Sequence, residues 1–209
     1  MKNFPIKKCL TTNGFLLEKT AQLLKSLGIC KINVSVHNES FKNPEFVKAL
    51  TFATEQNLIV SLNSVVNFEN VNKMQEILKF CKTLNLSVKF FLILELKKEE
   101  HKLLFAMALN NIKSSIPTQG KFNLANKRIG FSFGNRTVIS LNTVATNRDR
   151  PYMCKKCKVF NLCQESCWDS IRITNKYIKP CGIREDNVFF FDSTSLEVLR
   201  EKLHLERKH

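Results

Sequence analysis

The sequence has no apolar segment long enough to cross a membrane. The longest run, around Phe90 to Leu94, enters charge between Glu95 and Glu100, whereas a spanning helix needs about 20 apolar residues. The first residues, MKNFPIKKCLTTNG, hold neither the apolar core nor the small-residue cleavage site of a signal peptide. No membrane partner is therefore expected, and the cytoplasm is the expected compartment. Acidic residues are few: 18 Asp and Glu stand against 33 Lys and Arg, a net charge of +15. That balance favours anionic partners, yet no RRM, KH, helix-turn-helix or RGG pattern is present. Lys, Asn, Phe and Ile are all abundant. The charge reads as a composition bias spread over solvated faces, and nucleic acid is not an expected partner.

What is present in excess is cysteine, in one place. Tyr152 to Cys181 reads YMCKKCKVFNLCQESCWDSIRITNKYIKPC and carries Cys154, Cys157, Cys163, Cys167 and Cys181, five of the eight cysteines. Thiolates at such spacing converge on one soft metal centre, with a distant fifth cysteine able to complete the shell. Lys155, Lys156 and Lys158 lie between them, and positive charge offsets that of a thiolate-bound cluster. A disulfide framework, a structural zinc and an iron–sulfur cluster all fit the spacing. The lack of a secretion signal disfavours the first.

The first half of the chain alternates between two periods. Lys8 to Thr12 reads as a short strand ending at Asn13-Gly14. Leu17, Ala21, Leu24 and Leu27 recur at helical spacing until Gly28. Cys30 to Val36 is a strand, and Pro44 opens a helix through Glu55. Leu58 to Val66 is a strand. Val71 to Leu84 is a helix with Met74, Ile77, Leu78 and Cys81 inward. Leu86 to Leu94 is a strand, and Glu99 to Asn110 is a helix. Cys9 and Cys30 read as core strand residues. Hydrophobic residues make up 44% of the 209, enough for a packed core. Four βα units over residues 1–113 imply a parallel sheet with helices outside. Ligand sites in such folds lie at the C-terminal ends of strands. Those ends carry Thr11-Thr12-Asn13-Gly14, then Ser35 to Asn38, then Asn63-Ser64, then Glu95. His37 follows the second of them.

Residues 114–127, with Pro117 and Gly120, read as a linker. Residues 128–209 then form a small cysteine-rich domain. Arg128 to Phe133 and Arg136 to Leu141 flank Gly134-Asn135 as a β-hairpin. Ser170 to Thr174 and Tyr177 to Lys179 form a second one, and Ser193 to Leu205 contains a terminal helix. The fold class is α/β.

Two ordered sets of motifs resemble the radical S-adenosylmethionine (SAM) enzymes, most closely the GTP 3′,8-cyclase branch of molybdenum-cofactor biosynthesis. TTNG within Leu10 to Gly14, INVSVHN at Ile32 to Asn38, Ile59 to Val66 and Lys89 to Leu94 follow that branch's strand order. IRITNKYIKPC, Ile171 to Cys181, resembles its RLRLT…GKLRPC segment and is one residue shorter. The front of the cysteine stretch, CxxCx5CxxxC, is similar to the SPASM and twitch cluster domains of peptide-modifying relatives. The resemblance implies a partial (β/α) barrel over residues 1–113, with SAM bound by Thr11, Asn13, Ser35 and Asn63. It implies an auxiliary 4Fe–4S cluster on Cys154, Cys157, Cys163 or Cys167, and Cys181, with Trp168 as its shield. It implies a substrate contact at Arg172, the substrate being a GTP-like nucleotide or a peptide.

The departures bear on activity. The family's SAM-cleaving CxxxCxxC and GGEP-like strand end are absent from these 209 residues. The chain is therefore expected to be an incomplete form that does not generate a radical alone, with a separate chain as a candidate source of the missing barrel strands. Ser61 stands where the cyclases carry a lysine, and Ser170 where they carry the first arginine of RLRL. A peptide-modifying relative and a non-enzymatic zinc module are the competing readings.

Overall fold

The computed structural model describes residues 7–37, 39–93, 96–116, 121–123, 128–133, 137–142, 154, 157–158, 172–174, 176–179, 181, 188–190, 198 and 201. They fall into two compact units, one of residues 1–123 with 128–142, the other of 124–127 with 143–209.

In the first unit the expected alternation is present. Strand β1 (Lys8–Thr12) leads to helix α1 (Leu17–Ser26), β2 (Ile29–Val36) to α2 (Pro44–Glu55), β3 (Ile59–Val66) to α3 (Met74–Leu84), and β4 (Ser87–Leu92) to α4 (Lys98–Ser115). Local chemistry sets these bounds. The Asn43 side chain accepts the Glu45 N–H at 2.8 Å, and Pro44 occupies the first turn of α2. Three helices stop at left-handed residues: Gly28 (φ 79), Asn57 (φ 59) and Asn85 (φ 51). After the last two, the Leu58 and Leu86 N–H groups return to the Ala53 and Cys81 carbonyls at 3.2 and 2.9 Å, a Schellman closure. Val71–Lys73 form a 3-10 turn before α3 rather than its first turn.

The sheet runs β1-β2-β3-β4-β7-β6-β5, with β1 to β4 parallel. Strand order increases steadily through the βα units. Right-handed crossovers then lay every helix on the same face, the winding of a partial barrel and not of a doubly wound sheet. Leu17, Ala21, Leu50, Ala53, Met74, Ile77, Leu104 and Ile112 from the helices pack with Ile32, Val34, Leu62, Val88 and Phe90 from the strands in one core. Leu27 does not join them; at the end of α1 it is 56% exposed.

The first unit reaches further than its sequence suggests. Helix α4 continues past Asn110 to Ser115 because Leu104, Ala108 and Ile112, one turn apart, are all fully buried. Strand β5 (Lys121–Asn123) lies within the stretch expected to be linker. The hairpin β6 (Arg128–Phe133) and β7 (Thr137–Asn142), expected in the second domain, adds instead to the parallel sheet: β7 pairs with β4 in parallel, Lys89 opposite Ser140. Leu141 and Phe90, register partners, are both fully buried. That apolar pairing is the physical reason the boundary moves to Asn142.

In the second unit, β8 (Arg172–Ile173), β9 (Tyr177–Lys179) and β10 (Phe189–Phe190) form an antiparallel sheet in the order β10-β9-β8. The β8–β9 pair is the expected second hairpin. Thr174 closes it, its hydroxyl accepting the Lys176 and Tyr177 N–H groups at 3.2 and 3.0 Å. Val198 and Glu201 are helical; the rest of the expected terminal helix lies outside the described residues. No described helix is long and apolar enough to cross a membrane.

Candidate functional site

Parallel strands are usually apolar on both faces, because both are covered. Here the two faces differ in polarity. The even positions of β2, β3 and β4 are buried under the helices: Ile32, Val34 and Val36, then Val60, Leu62, Ser64 and Val66, then Val88, Phe90 and Leu92. The odd positions carry Asn33 and Ser35, Ser61 and Asn63, and Ser87 and Lys89. Register aligns them in two rows across the sheet. One row is Thr11, Asn33, Ser61 and Ser87; the other is Ser35, Asn63, Lys89 and Ser140.

Three of the four residues assigned to SAM thus share a face. Ser35 and Asn63 are side by side, and Thr11 is one strand over. Asn13 lies beyond the end of β1, and its side-chain oxygen is used locally, accepting the Phe15 N–H at 3.1 Å. Thr12 accepts the Gly14 N–H at 3.2 Å. Gly14 holds φ 86, and a Cβ there would stand 3.0 Å from Val34 Cγ1 and 3.2 Å from Phe46. The TTNG turn is therefore shaped by close packing against β2 and α2.

Sequence reading did not assign a role to Asn33 or Lys89. The Lys89 ammonium donates to Asn33 Oδ1 at 3.4 Å, and Asn33 Nδ2 donates to Cys9 Sγ at 3.2 Å. A diagonal chain so crosses β4, β2 and β1. The available signal was a polar residue at every second position of an otherwise apolar strand, Asn33 with Ser35 and Ser61 with Asn63. Cys9, expected in the core, is exposed, and Cys30 is half-buried. The polar face, on which Cys9 meets Asn33, is the reason. The face also holds two buried atoms with no hydrogen-bond partner among the described residues, Ser61 Oγ and Asn63 Oδ1. Each such group costs about 1–3 kcal/mol unless something else satisfies it.

His37 stands elsewhere. With Ser64, Asn70, Lys73, Met74 and Ile77 it lines a cavity of about 160 Å³ between the ends of β2 and β3 and helix α3. Lys73 pairs there with Glu39 at 3.4 Å, and Lys42 bridges Glu39 and Glu76 at 3.1 and 3.0 Å. The Lys42 hydrogen bond, followed by that of Lys73, holds the Glu39 carboxyl below its ordinary range. Glu95 and Asn38, the other expected strand-end residues, lie outside the described residues.

In the second unit Cys154 and Cys181 are buried, at 6% and 3% exposure, and Cys157 is half-buried. The Cys157 N–H donates to the Cys154 carbonyl at 3.0 Å. β9 ends two residues before Cys181, so the hairpin anchors that cysteine. Cys163, Cys167 and Trp168 lie outside the described residues, and among the described residues no three potential ligands converge. Arg172 opens β8, opposite Lys179.

No family model matches the chain. Among curated proteins it is 29% identical over 205 residues to a "Probable GTP 3',8-cyclase" of Methanococcus aeolicus, covering 90% of this chain and 62% of that one. It is 27% identical to the protein of the same name from Methanocaldococcus jannaschii (86% and 60% covered). It is 26% identical to the GTP 3',8-cyclase of Helicobacter pylori (63% and 48% covered). Among solved structures, a truncated 3-deoxy-D-arabino-heptulosonate 7-phosphate synthase from Thermotoga maritima aligns with a TM-score of 0.31 at 14% identity, over 56% of this chain and 53% of that one; so low a score carries no argument. The chain is thus similar in sequence to curated GTP 3',8-cyclases, and it spans about 60% of the length of the first two.

Proposed function

We propose that this chain is a radical-SAM-type protein of the GTP 3′,8-cyclase kind, binding the nucleoside part of SAM on the polar face and a 4Fe–4S cluster through its cysteine stretch. The observation that carries the first half is the pair of buried atoms Ser61 Oγ and Asn63 Oδ1, which have no hydrogen-bond partner among the described residues. A carboxamide oxygen can only accept, whereas a hydroxyl can donate or accept. The vicinal hydroxyls of a ribose satisfy both at once, and the neighbouring Ser35 hydroxyl adds a third contact on the same face. Thr11 and Asn13 complete the rim. Lys89, beside Asn63 in register, brings a positive charge toward an anionic group of the ligand. A GTP-like nucleotide is the substrate class, with Arg172 as its contact in the second unit.

The donor set of the second unit fits an iron–sulfur group. Cys154 and Cys181 are kept from solvent, and the Cys157 N–H is hydrogen-bonded to the Cys154 carbonyl. Cys163 or Cys167 supplies the remaining ligand. A 4Fe–4S cluster bound there would supply a redox centre with an iron that a substrate can approach. The protein's part is to bind, orient and exclude water. β1 ends the strand order of its sheet, and Leu16, Leu23 and Leu27, spaced as one helical stripe, are 63%, 59% and 56% exposed. Both features support a further strand and helix packing at that edge.

Metal and sulfide analysis of anaerobically purified protein tests the cluster. About four irons and four sulfides per chain are expected, lost in Cys154→Ala and in Cys181→Ala. One zinc without sulfide would contradict the cluster and move the second unit to the zinc-module reading.

A further inference from the structure

The two atoms that the proposed ligand meets on β3 are out of its reach. Ser61 is wholly buried. Its Oγ and Asn63 Oδ1 are shut off from solvent, with no hydrogen-bond partner among the described residues. A ligand can use them only after something above them moves. Register shows what passes there. Asn33 on β2 is level with Ser61, and Lys89 on β4 is level with Asn63. Their side chains meet, the Lys89 ammonium donating to Asn33 Oδ1 at 3.4 Å. β2 and β4 are two strand spacings apart, about 10 Å. The contact therefore passes over β3, and it crosses between Ser61 and Asn63. The Asn33 end is set in place: its Nδ2 donates to Cys9 Sγ at 3.2 Å, which leaves the oxygen turned to Lys89. The contact is also easily broken. At 3.4 Å it is longer than an ordinary N–H···O bond of about 2.7–3.2 Å, and both side chains are half-buried, so water competes for them.

We propose that Lys89 is a strap over the ligand site. Fastened to Asn33, it closes the polar face; released, it admits the ligand and turns its charge to the ligand's anionic group. Only the released state binds, so the measured affinity is the intrinsic affinity reduced by the fraction of chain that is released. Asn33 acts through Lys89 and is a positioning residue: it sets how much of the chain is fastened. The strap stands on the geometry of β2, β3 and β4 alone. The ligand that it holds out is that of the proposed function, on which this part of the inference rests.

The test uses the full chain and alters the fastening. Asn33→Ala removes the acceptor. Asn33→Asp replaces it with a carboxylate, which holds an ammonium more firmly than a carboxamide does. The strap is read first without ligand, as the rate at which an activated ester acetylates the Lys89 amine, followed by peptide mass spectrometry. Relative to wild type, Lys89 is expected to react at least about fivefold faster in Asn33→Ala and at least about fivefold slower in Asn33→Asp, while Lys79, exposed on α3, reacts alike in all three. Binding is read next with adenosine, which shares the nucleoside part of S-adenosylmethionine and has no anionic group for Lys89 to meet. Asn33→Ala and Lys89→Ala are each expected to bind adenosine about fivefold more tightly than wild type. A lysine that only contacts the ligand, or only supports the fold, would give equal or weaker binding. Asn33→Asp is expected to bind S-adenosylmethionine at least about tenfold more weakly; should that chain fail to fold, the two alanine variants carry the test. Lys89 reacting at one rate in wild type and Asn33→Ala overturns the strap. Shifted Lys89 rates with no gain in adenosine binding overturn its control of the site. Wild type and variants that bind neither adenosine nor S-adenosylmethionine contradict the proposed function instead, and the Lys89 rates still decide the strap.

Discussion

The two faces of the β1–β4 sheet are built from the same strands and differ by one residue in phase. Leu62 and Asn63 are neighbours in the chain. Leu62 is fully buried under the helices, in a core shared with α2 and α3. Asn63 faces the other way, in a row with Ser35 and Lys89. The apolar face supplies burial, which holds a parallel sheet together. The polar face contributes little of this and carries orphaned groups that cost stability. A strand pattern of period two thus separates what folds the unit from what the unit is proposed to bind.

Substitutions on the two faces should separate accordingly, and the largest effect belongs to the apolar one. Leu62→Ala is expected to cost about 2–5 kcal/mol in denaturant unfolding; a loss no larger than that of a surface residue would break the comparison. Gly14→Ala, at the turn where β1 leaves the sheet, forces a Cβ against Val34 at positive φ. It should cost about 1–3 kcal/mol, read as a lower midpoint. Ser61→Ala should act in the opposite direction. Removing a buried, unpartnered hydroxyl is expected to raise the stability of the unliganded protein by about 1 kcal/mol, and a clear loss would mean that the hydroxyl is satisfied by the fold itself.

His101, buried in α4, tests the packed layer by pH. Burial holds its imidazole below its ordinary range, so the unfolded chain takes up a proton that the folded chain resists. The associated stability is present above the unfolded value of about 6.5 and is lost as pH falls through the folded value. Thermal midpoints should therefore fall on acidification through this window, and His101→Leu should flatten that fall. The smallest effect belongs to the surface: Lys42→Ala removes exposed ion pairs to Glu39 and Glu76. It should lower the midpoint slightly at low salt and not at high salt.

Much of the first unit was legible because its signals are local. Pro44 after Asn43 marks the start of α2, and the Met74, Ile77, Leu78 and Cys81 stripe marks the buried face of α3. The place of β6 and β7 was not, since pairing between Lys89 and Ser140 joins positions far apart in sequence, and a hairpin beside a linker looks the same whichever sheet it enters. The resemblance led to Thr11, Ser35 and Asn63. Asn33 and Lys89 escaped because their roles depend on cross-strand register. Cys9 was misplaced for a related reason: a cysteine in an apolar run reads as core, and only its register with Lys31 and the hydrogen bond from Asn33 put it on the polar side. β10, two residues long, lies below the length at which a strand pattern can be read.

The most direct test of the central claim is the binding of S-adenosylmethionine by isothermal titration, in wild type and Asn63→Ala. Saturable binding that weakens at least about tenfold in the variant, as expected for losing a buried hydrogen-bond partner, with the unliganded thermal midpoint kept, is the predicted result. Equal affinity in both proteins, or no binding to either, would contradict a ligand site on the polar face.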